Sequence, residues 1–325
     1  MREKLRDILK PTPILTLTSA FTCAGIGLQG YKRAKFTITG GLDFDCRFAT
    51  MADDNYRAPD GSSVMNFGHP EIPVDVTSVR GSSIRAFQKR KFGIDTVHLF
   101  EQGPTCDDFS LLNQTADFGR RGMMLESLRL ISEVKPLVAV IENSNHFLAA
   151  KHKDISERYF EIVKTMPYRS AYRVMNAIHY GSHQMRKRFI HIFVHEMLEK
   201  EAVFPEPLKS APIRVRDFLD IDRFFSGHFT DAIKTRDHFM GATTTGSPKE
   251  FEKDGVRREP TMEELMKCCD LDPKTFILKG CKQAKREALG NLMTPNLAYE
   301  IGKTIREKIL GYNRFENGLW IPDGL

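Results

Sequence analysis

A cysteine and a glutamate each follow a strand-like segment, and together they could perform covalent chemistry. Cys106 ends the run Gly103-Pro104-Thr105-Cys106. Glu142 comes directly after the apolar segment Leu137–Ile141 and directly before Asn143. A cysteine thiolate is a good nucleophile, and a nearby acid can neutralise charge that builds on an attacked ring. The pair therefore fits addition of a thiolate to an electron-poor ring. A single loop cysteine is more often structural, so further motifs are needed to decide.

A glycine-bearing turn and two acids form a second candidate set. Ala24-Gly25-Ile26-Gly27 follows the first strand-like segment, and glycines there let a ligand approach the backbone closely. Asp43 ends the second segment, where doubly wound folds hold a ribose hydroxyl. Asp75 is a third candidate. Taken singly, a tight turn explains the glycines as well as a ligand does, and a lone acid after a strand is more often a helix cap or a solvated turn. Their occurrence together favours a nucleotide-like ligand.

A basic cluster precedes the last strand-like segment. Arg186, Lys187 and Arg188 are consecutive. In isolation a solvated turn explains them best, and binding of a phosphate and a base oxygen is the alternative.

The elements that must position these residues alternate along the first 194 residues. Short apolar runs separated by helix-like segments predict parallel strands joined by crossover helices, with ligands at the carboxyl ends of the strands. One helix over Leu125–Val134 should end near Lys135, and another should run from Pro295 to Ile309. The predicted strands are Ile14–Phe21, Phe36–Leu42, Asp95–Phe100, Leu137–Ile141, Tyr172–Ile178 and Phe189–Val194.

Beyond Val194 the sequence becomes rich in proline and then in Gly, Thr and Ser, which is typical of a loop-rich lobe. A chain of 325 residues is also long for one compact domain. We predict an α/β fold with a doubly wound, mostly parallel sheet in residues 1–194 and 286–325, and a small lobe in residues 195–285.

Composition limits the function classes. The chain is 41% hydrophobic and 28% charged, contains no run of about 20 apolar residues, and starts without a secretory signal. We expect a cytoplasmic monomer without a membrane partner. The six cysteines form no Cys-x-x-Cys pair, so we expect reduced thiols and no metal site. A formal charge of +6 suits a phosphate-rich partner but also occurs in enzymes that have none.

Taken in order, the motifs resemble those of the cytosine-5 DNA methyltransferase family over about residues 14–194 and 257–310. The donor-side motifs are similar to the family's methyl-donor glycine turn (Ala24-Gly25-Ile26-Gly27), ribose-binding acid (Asp43), adenine-contacting acid (Asp75) and late Gly-Asn element (Gly290-Asn291). The base-side motifs are similar to its Pro-Cys nucleophile (Gly103 to Cys106, with Phe109-Ser110), Glu-Asn-Val (Glu142-Asn143) and Gln-x-Arg-x-Arg (Gln184 to Arg188) motifs. Arg258, Thr261 and Glu264 are a looser match.

The resemblance implies a class I methyltransferase, Rossmann-like fold with a small target-recognition lobe and a flipped base. Cys106 would attack carbon 6 of cytosine while Glu142 holds a proton to ring nitrogen 3, and carbon 5 would take the methyl of S-adenosyl-L-methionine, leaving S-adenosyl-L-homocysteine. Arg188 would touch the cytosine oxygen, and Arg186 would orient the acid or a phosphate. The stretch Asp107 to Arg121 would close over the base.

The same resemblance extends the expected sites. The residues expected to bind the donor are Cys23, Ala24, Gly25, Ile26, Gly27, Asp43, Phe44, Asp75, Val76, Gly103 and Asn291. The residues expected to bind nucleic acid are Ser110, Arg120, Arg121, Gln184, Arg223, Arg236 and Thr243. The expected partner is double-stranded DNA in a bacterial nucleoid, within a restriction–modification system or a phage.

Four features, at five positions, depart from the family pattern. Thr105 replaces the proline before the cysteine, Asp107 and Asp108 place two charges beside the thiol, Ser144 replaces valine, and Cys23 replaces an aromatic residue. Three alternatives therefore stay open: the same reaction on RNA, a catalytically silent relative that binds DNA or donor, and an altered donor that delivers a larger group than methyl.

Overall fold

The computed structural model of the chain describes residues 9–105, 122–225, 233–244 and 248–323. Its strands are β1 (Leu15–Ala20), β2 (Phe36–Leu42), β3 (Leu99–Gln102), β4 (Val138–Ser144), β5 (Tyr168–Asn176), β6 (Gln184–Met185), β7 (Lys187–His195), β8 (Arg223–Phe225), β9 (Ile233–Thr235), β10 (Met240–Gly241), β11 (Glu250–Lys253), β12 (Val256–Arg258), β13 (Tyr312–Glu316) and β14 (Leu319–Pro322). Its α-helices are α1 (Leu28–Arg33), α2 (Cys46–Asp53), α3 (Gly81–Phe92), α4 (Met123–Val134), α5 (Lys153–Val163), α6 (Met262–Cys268), α7 (Lys282–Gly290) and α8 (Pro295–Thr304).

The central sheet has the order β2-β1-β3-β4-β7-β5. Strands β2, β1, β3 and β4 pair in parallel, whereas β7 is antiparallel to both of its neighbours. Each of the six predicted strands corresponds to one strand of this sheet. The prediction of a doubly wound, mostly parallel sheet is therefore confirmed.

Both faces of the sheet are covered by helices. On one face, side chains of α1 and α8, including Leu28, Tyr31 and Leu297, pack against the sheet. On the other face, α3, α4 and α5 contribute Ile84, Leu128 and Tyr159, among others. A strand inside a parallel sheet that is covered on both faces has no solvent-facing side, so all six residues of β1 are buried, and its polar side chains Thr16, Thr18 and Ser19 form hydrogen bonds.

Strand β3 begins at Leu99, four residues later than predicted, because side chains replace its backbone ladder. The Thr16 hydroxyl donates to the carbonyl oxygen of Thr96 at 2.7 Å and accepts from the backbone N–H of His98 at 3.0 Å. The Thr16 backbone N–H donates to His98 Nδ1 at 3.2 Å. Burial lowers the pKa of His98 to about 4, so the ring stays neutral and able to accept this bond.

Strand β5 begins at Tyr168, four residues before the predicted start. It is the edge of the sheet, and Arg169 and Arg173 face solvent there. An edge strand needs no continuous apolar run, so its polar first half was not recognisable from hydrophobicity. Helix α4 ends as predicted, with Lys135 in the left-handed conformation. The predicted helix from Pro295 to Ile309 divides into α8 and a π-helical turn, Ile305–Ile309.

The predicted small lobe, residues 195–285, contains a four-stranded sheet of order β12-β11-β8-β9. Phe224, Met240 and Phe251 form a core of its own with Val215 and Cys268. A further apolar cluster connects Leu265 and Phe276 to Phe48 and Met51 of α2. In the described part of the chain, no helix is long and apolar enough to cross a membrane.

Close contact between α1 and α8 depends on a glycine. A Cβ atom at Gly30 would lie 2.1 Å from the carbonyl oxygen of Pro295 and 2.6 Å from the Ala298 Cβ. Neither neighbour is the flexible end of a side chain, so the helices would have to separate. Because α1 continues the glycine turn, this contact also holds the turn against the body of the protein.

Gly30→Ala should lower the free energy of unfolding by about 2 kcal/mol or more, as expected for overpacking against backbone. Gly241→Ala is the matched control, because no atom of the described residues lies within 4 Å of a Cβ there. Urea unfolding of both variants measures the difference. Equal midpoints for the two would contradict the packing argument.

Candidate active site

An open cleft of about 870 Å³ lies at the carboxyl ends of β1 to β4. We call it the large cleft; its lining includes Cys23, Asp43, Phe44, Asp75, Val76, Gly103, Pro104, Thr105, Glu142, Arg186, Arg188 and Asn291. A second, much smaller space of about 40 Å³ adjoins it, and we call this the small cavity. Its lining includes Phe21, Thr22, Cys23, Ala24, Ile26, Gly27, Glu101, Gly103, Glu142 and Asn291. Most residues predicted to hold donor and base thus share one continuous site.

The glycine turn after β1 has an unusual backbone. Phe21, Cys23 and Gly25 have φ values of 56°, 49° and 68°. The Tyr56 hydroxyl donates to the carbonyl oxygen of Gly25 at 2.7 Å, and a Cβ at Gly25 would lie 2.7 Å from the Tyr56 ring. Gly25 therefore shapes the turn without lining the large cleft or the small cavity.

Asp43 fastens this turn to the end of β2. Its Oδ2 accepts the Cys23 backbone N–H at 2.6 Å, and its Oδ1 accepts the Asp45 N–H at 2.8 Å. Burial raises the pKa of Asp43 to about 6, while these two hydrogen bonds oppose the rise. Near neutral pH the carboxylate accepts both bonds and holds the turn beside the large cleft.

The outer part of the large cleft presents an aromatic ring and a capping acid. Phe44 is 70% exposed, unusual for so apolar a side chain. Asp75 Oδ1 accepts the backbone N–H of Thr77 at 2.9 Å and its hydroxyl at 2.8 Å, so Asp75 caps a 3₁₀ turn that includes Val76. An exposed ring beside carboxylates is suited to stacking on a flat heterocycle.

Glu142 and Arg188 form the charged pair of the site. Arg188 Nε lies 2.6 Å from Glu142 Oε1, and the two side chains are 14% and 12% exposed. The contact is an ion pair by distance, but within the described residues no hydrogen bond of good geometry reaches that oxygen. The carboxyl group thus retains hydrogen-bonding capacity toward the cleft.

Asn143 connects this pair to the loop after β3. Its Nδ2 donates to the carbonyl oxygen of Pro104 at 2.9 Å. Pro104 and Thr105 line the large cleft, and Cys106 is the next residue in the sequence. Ser144, the departure from the family motif, accepts the His146 N–H at 3.3 Å and so caps the turn that follows β4.

Arg186 connects Thr243, in the predicted small lobe, to Gly290 at the end of α7. Its two terminal nitrogens donate to the carbonyl oxygens of Thr243 at 3.0 Å and of Gly290 at 2.6 Å. Gln184 makes a similar bridge, because its Nε2 donates to the Cys268 carbonyl at 2.8 Å and its Oε1 accepts the Thr243 N–H at 3.0 Å. Arg186, Gln184, Thr243 and Cys268 are buried and Gly290 is partly buried, so Arg186 and Gln184 hold Thr243 and Cys268 close to the residues that follow the central sheet.

Comparison with known proteins agrees with this geometry. The family model for C-5 cytosine-specific DNA methylases matches residues 66–221. Over these residues, just under half of its length, the chain is similar to the cytosine-5 DNA methyltransferase family. Type II methyltransferase M.XorII of Xanthomonas oryzae pv. oryzae is 27% identical over 209 residues, covering 63% of this chain and 46% of that protein. Type II methyltransferase M.NgoMIV of Neisseria gonorrhoeae is 24% identical over 208 residues, covering 63% of this chain and 60% of that protein.

The matched part thus spans roughly half the length of these curated relatives. A solved structure of a DNA modification methyltransferase encoded within a prophage (E. coli) has a TM-score of 0.71 at 18% identity, covering 91% of this chain and 99% of that one. This likeness concerns the fold, and it confirms the predicted class I methyltransferase architecture.

Some residues expected to bind nucleic acid lie away from a free surface. Gln184 and Thr243 are buried where the lobes meet, and their contact with nucleic acid stays a prediction. Arg223 and Arg236 of the small lobe are 50% and 48% exposed, and they lie near Glu252 and Asp222. Four predicted site residues lie outside the described residues: Cys106, Ser110, Arg120 and Arg121.

The structure adds an acid to which the sequence motifs assigned no role. Glu101 is the penultimate residue of β3 and lines the small cavity together with Gly103 and Glu142. The Ser19 hydroxyl donates to its Oε2 at 2.7 Å. A charged residue at the carboxyl end of a central strand was the available signal. Within the described residues, no group of His, Cys, Asp and Glu that could hold a metal ion is found.

Glu101 is held mainly as a neutral acid. Burial raises its pKa to about 8, the Ser19 hydrogen bond opposes the rise, and the nearby Glu142 adds to it. The folded protein therefore binds this proton more tightly than the unfolded chain does. Stability from this group is complete near pH 4.5 and declines as the pH rises toward 8.

Glu101→Gln should remove that decline. At pH 5 the variant should match the wild type, and at pH 8.5 it should be more stable by about 2–4 kcal/mol, since one pKa unit corresponds to about 1.4 kcal/mol. Guanidinium unfolding at both pH values measures this. The exposed Glu157→Gln is the control, with no expected change; parallel pH profiles for wild type and Glu101→Gln would refute the assignment.

Arg186→Lys should loosen the junction between the lobes, because one ammonium group cannot reproduce a planar fork that reaches two carbonyls. We expect a loss of about 1–3 kcal/mol in the free energy of unfolding and faster proteolysis within residues 195–285. Arg216→Lys, in an exposed ion pair with Asp237, should leave both measurements unchanged. Proteolysis at the wild-type rate in Arg186→Lys would argue against the bridge.

Proposed function

We propose that the chain is a DNA (cytosine-5)-methyltransferase that uses S-adenosyl-L-methionine as donor and Cys106 as covalent nucleophile. The observation that carries this proposal is the convergence in the large cleft of the Glu142–Arg188 pair and the Gly103–Thr105 segment, directly before Cys106 in sequence, with the donor-side residues Asp43 and Phe44.

The residues on the donor side fit a nucleoside with a sulfonium side chain. The cleft volume lies within the range of small-molecule sites, about 300–1,000 Å³. Phe44 offers a ring for the adenine, and Asp43 and Asp75 offer carboxylate oxygens. When bound, S-adenosyl-L-methionine supplies an electrophilic methyl group at its sulfonium sulfur.

The protein's own residues would perform the remaining chemistry. The Cys106 thiolate adds to carbon 6 of the flipped cytosine, and the ring electrons move to carbon 5. Glu142 shares a proton with ring nitrogen 3, which stabilises the charge, while Arg188 contacts the carbonyl oxygen of the cytosine. After carbon 5 has accepted the methyl group, a base removes its proton, and the carbon 6–sulfur bond breaks to restore the cysteine.

The small lobe supplies groups for the duplex. Arg223 and Arg236 expose half of their side chains and can exchange their carboxylate partners for phosphates. Lys234 and His238 lie on the same lobe. Relatives named type II methyltransferases favour a modification enzyme of that class, with duplex DNA as substrate.

Purified protein incubated with tritiated S-adenosyl-L-methionine and either mixed-sequence duplex DNA or total RNA tests the proposal. Wild-type protein should label DNA, and Cys106→Ser should reduce labelling at least about 100-fold, since a nucleophile carries the covalent step. Cys281→Ser, which changes an exposed cysteine remote from the cleft lining, is the matched control.

A second readout addresses the adduct itself. DNA that contains 5-fluorocytosine cannot lose a proton from carbon 5, so the covalent complex should persist in denaturing gels with wild type and not with Cys106→Ser. Label confined to RNA would move the activity to RNA. Donor binding without label in either nucleic acid would favour a catalytically silent relative.

A further inference from the structure

The small cavity contains a carboxyl group that the reaction described above does not use. Ser19 donates to Oε2 of Glu101, and the other carboxyl oxygen lies toward Gly103. A Cβ atom at Gly103 would be 4.0 Å from Glu101 Oε1 and 3.7 Å from Glu142 Oε2. Two carboxyl groups thus approach the same point, at the junction of the small cavity with the large cleft.

The two spaces divide the residues of the donor site by position. Asp43, Phe44 and Asp75 line the large cleft and not the small cavity, whereas Glu101 lines the small cavity and not the large cleft. Glu142 and Gly103 line both. A ligand with its nucleoside beside Phe44 and its reactive centre beside Glu142 therefore directs its remaining end toward Glu101.

That remaining end of the donor is an amino acid, which carries an ammonium and a carboxylate group. We propose that Glu101 binds the ammonium group of the donor's amino-acid end and thereby selects S-adenosylmethionine-type ligands over nucleosides that lack this group. The inference rests on the proposed function, because it assumes the donor named there.

The charged and polar groups around Glu101 come from several elements. Ser19 of β1 donates a hydrogen bond to it, and Glu142 of β4 faces it with a carboxyl group that Arg188 of β7 contacts. Tyr31 of α1 lies close enough that both glutamates help to raise the pKa of its hydroxyl. Among these groups Arg188 is the cation, and it is engaged with Glu142. Among the described residues, an incoming ammonium group would thus meet one carboxyl, that of Glu101, for which no cationic partner is found.

The proposal has a measurable consequence in protons. Burial holds the pKa of Glu101 at about 8 in the free protein, so the group is protonated at pH 7. A bound ammonium group favours the carboxylate, so the O–H bond of Glu101 breaks and its proton passes to the buffer while the ammonium keeps its own protons. Binding near pH 7 should therefore release between about half a proton and one proton.

Titration calorimetry of the full chain with S-adenosyl-L-homocysteine, in buffers of different ionisation enthalpy at pH 7, measures this release directly. 5′-Methylthioadenosine, which lacks the amino-acid end, is the comparison ligand. The wild-type protein should bind S-adenosyl-L-homocysteine more tightly than 5′-methylthioadenosine. It should release a proton on binding the first ligand and none on binding the second.

Glu101→Gln keeps the shape of the neutral side chain and its acceptor for Ser19, so it should fold. It should weaken binding of S-adenosyl-L-homocysteine about 10- to 100-fold, as expected for loss of a charge-assisted hydrogen bond, and it should abolish the proton release. The affinity for 5′-methylthioadenosine should change by less than about twofold. Glu287→Gln, which changes a carboxyl of the large cleft only, should keep the proton release. Glu101→Ala removes the hydrogen-bonding group altogether. It should weaken binding of S-adenosyl-L-homocysteine at least as much as Glu101→Gln does.

The outcomes separate the two proposals. Equal affinity and equal proton release in wild type and Glu101→Gln would overturn the role of Glu101 and leave the methyltransferase proposal intact. Binding of neither ligand by well-folded wild type would overturn both.

Discussion

The structure of the site depends on one carboxylate, Asp43, that receives backbone N–H groups from two segments. By accepting from Cys23 and from Asp45, it joins the turn after β1 to the turn after β2. The turn after β1 includes three residues with positive φ, conformations that cost energy for residues other than glycine. A buried charged acceptor on one side and the Tyr56 hydroxyl on the other offset that cost, and the cleft has a defined wall as a result.

Much of the fold could be predicted from the sequence, because its strands are buried on both faces and therefore apolar. The predicted bounds of β2 agree with the structure, and the end of α4 was marked by Lys135-Pro136. The predicted starts of β3 and β5 were wrong, because side-chain hydrogen bonds replace backbone pairing at the first and solvent faces the second. Thr16 and His98 replace part of the β3 ladder, and polar residues begin the edge strand β5. Neither feature leaves a hydrophobic signature.

The candidate site shows the same division. Residues in ordered motifs, such as Asp43, Glu142 and Arg188, could be placed together because the ends of neighbouring parallel strands meet at one edge of the sheet. Glu101 could not be assigned, since its environment depends on Ser19 and Glu142, which are distant from it in sequence. The burial of Gln184 was equally hidden, because its partners Thr243 and Cys268 lie in a lobe whose packing no periodicity indicates.

The contacts of Arg186 also determine which amino-acid substitutions the small lobe can accept during evolution. Arg186 donates hydrogen bonds to the main-chain oxygens of Thr243 and Gly290, and every residue type carries such an oxygen. Substitutions at position 243 therefore leave the acceptor in place as long as the backbone keeps its path. These two contacts of Arg186 therefore do not depend on side-chain identity, so the residue at position 243 can be replaced without removing the hydrogen bond that attaches this segment to Arg186.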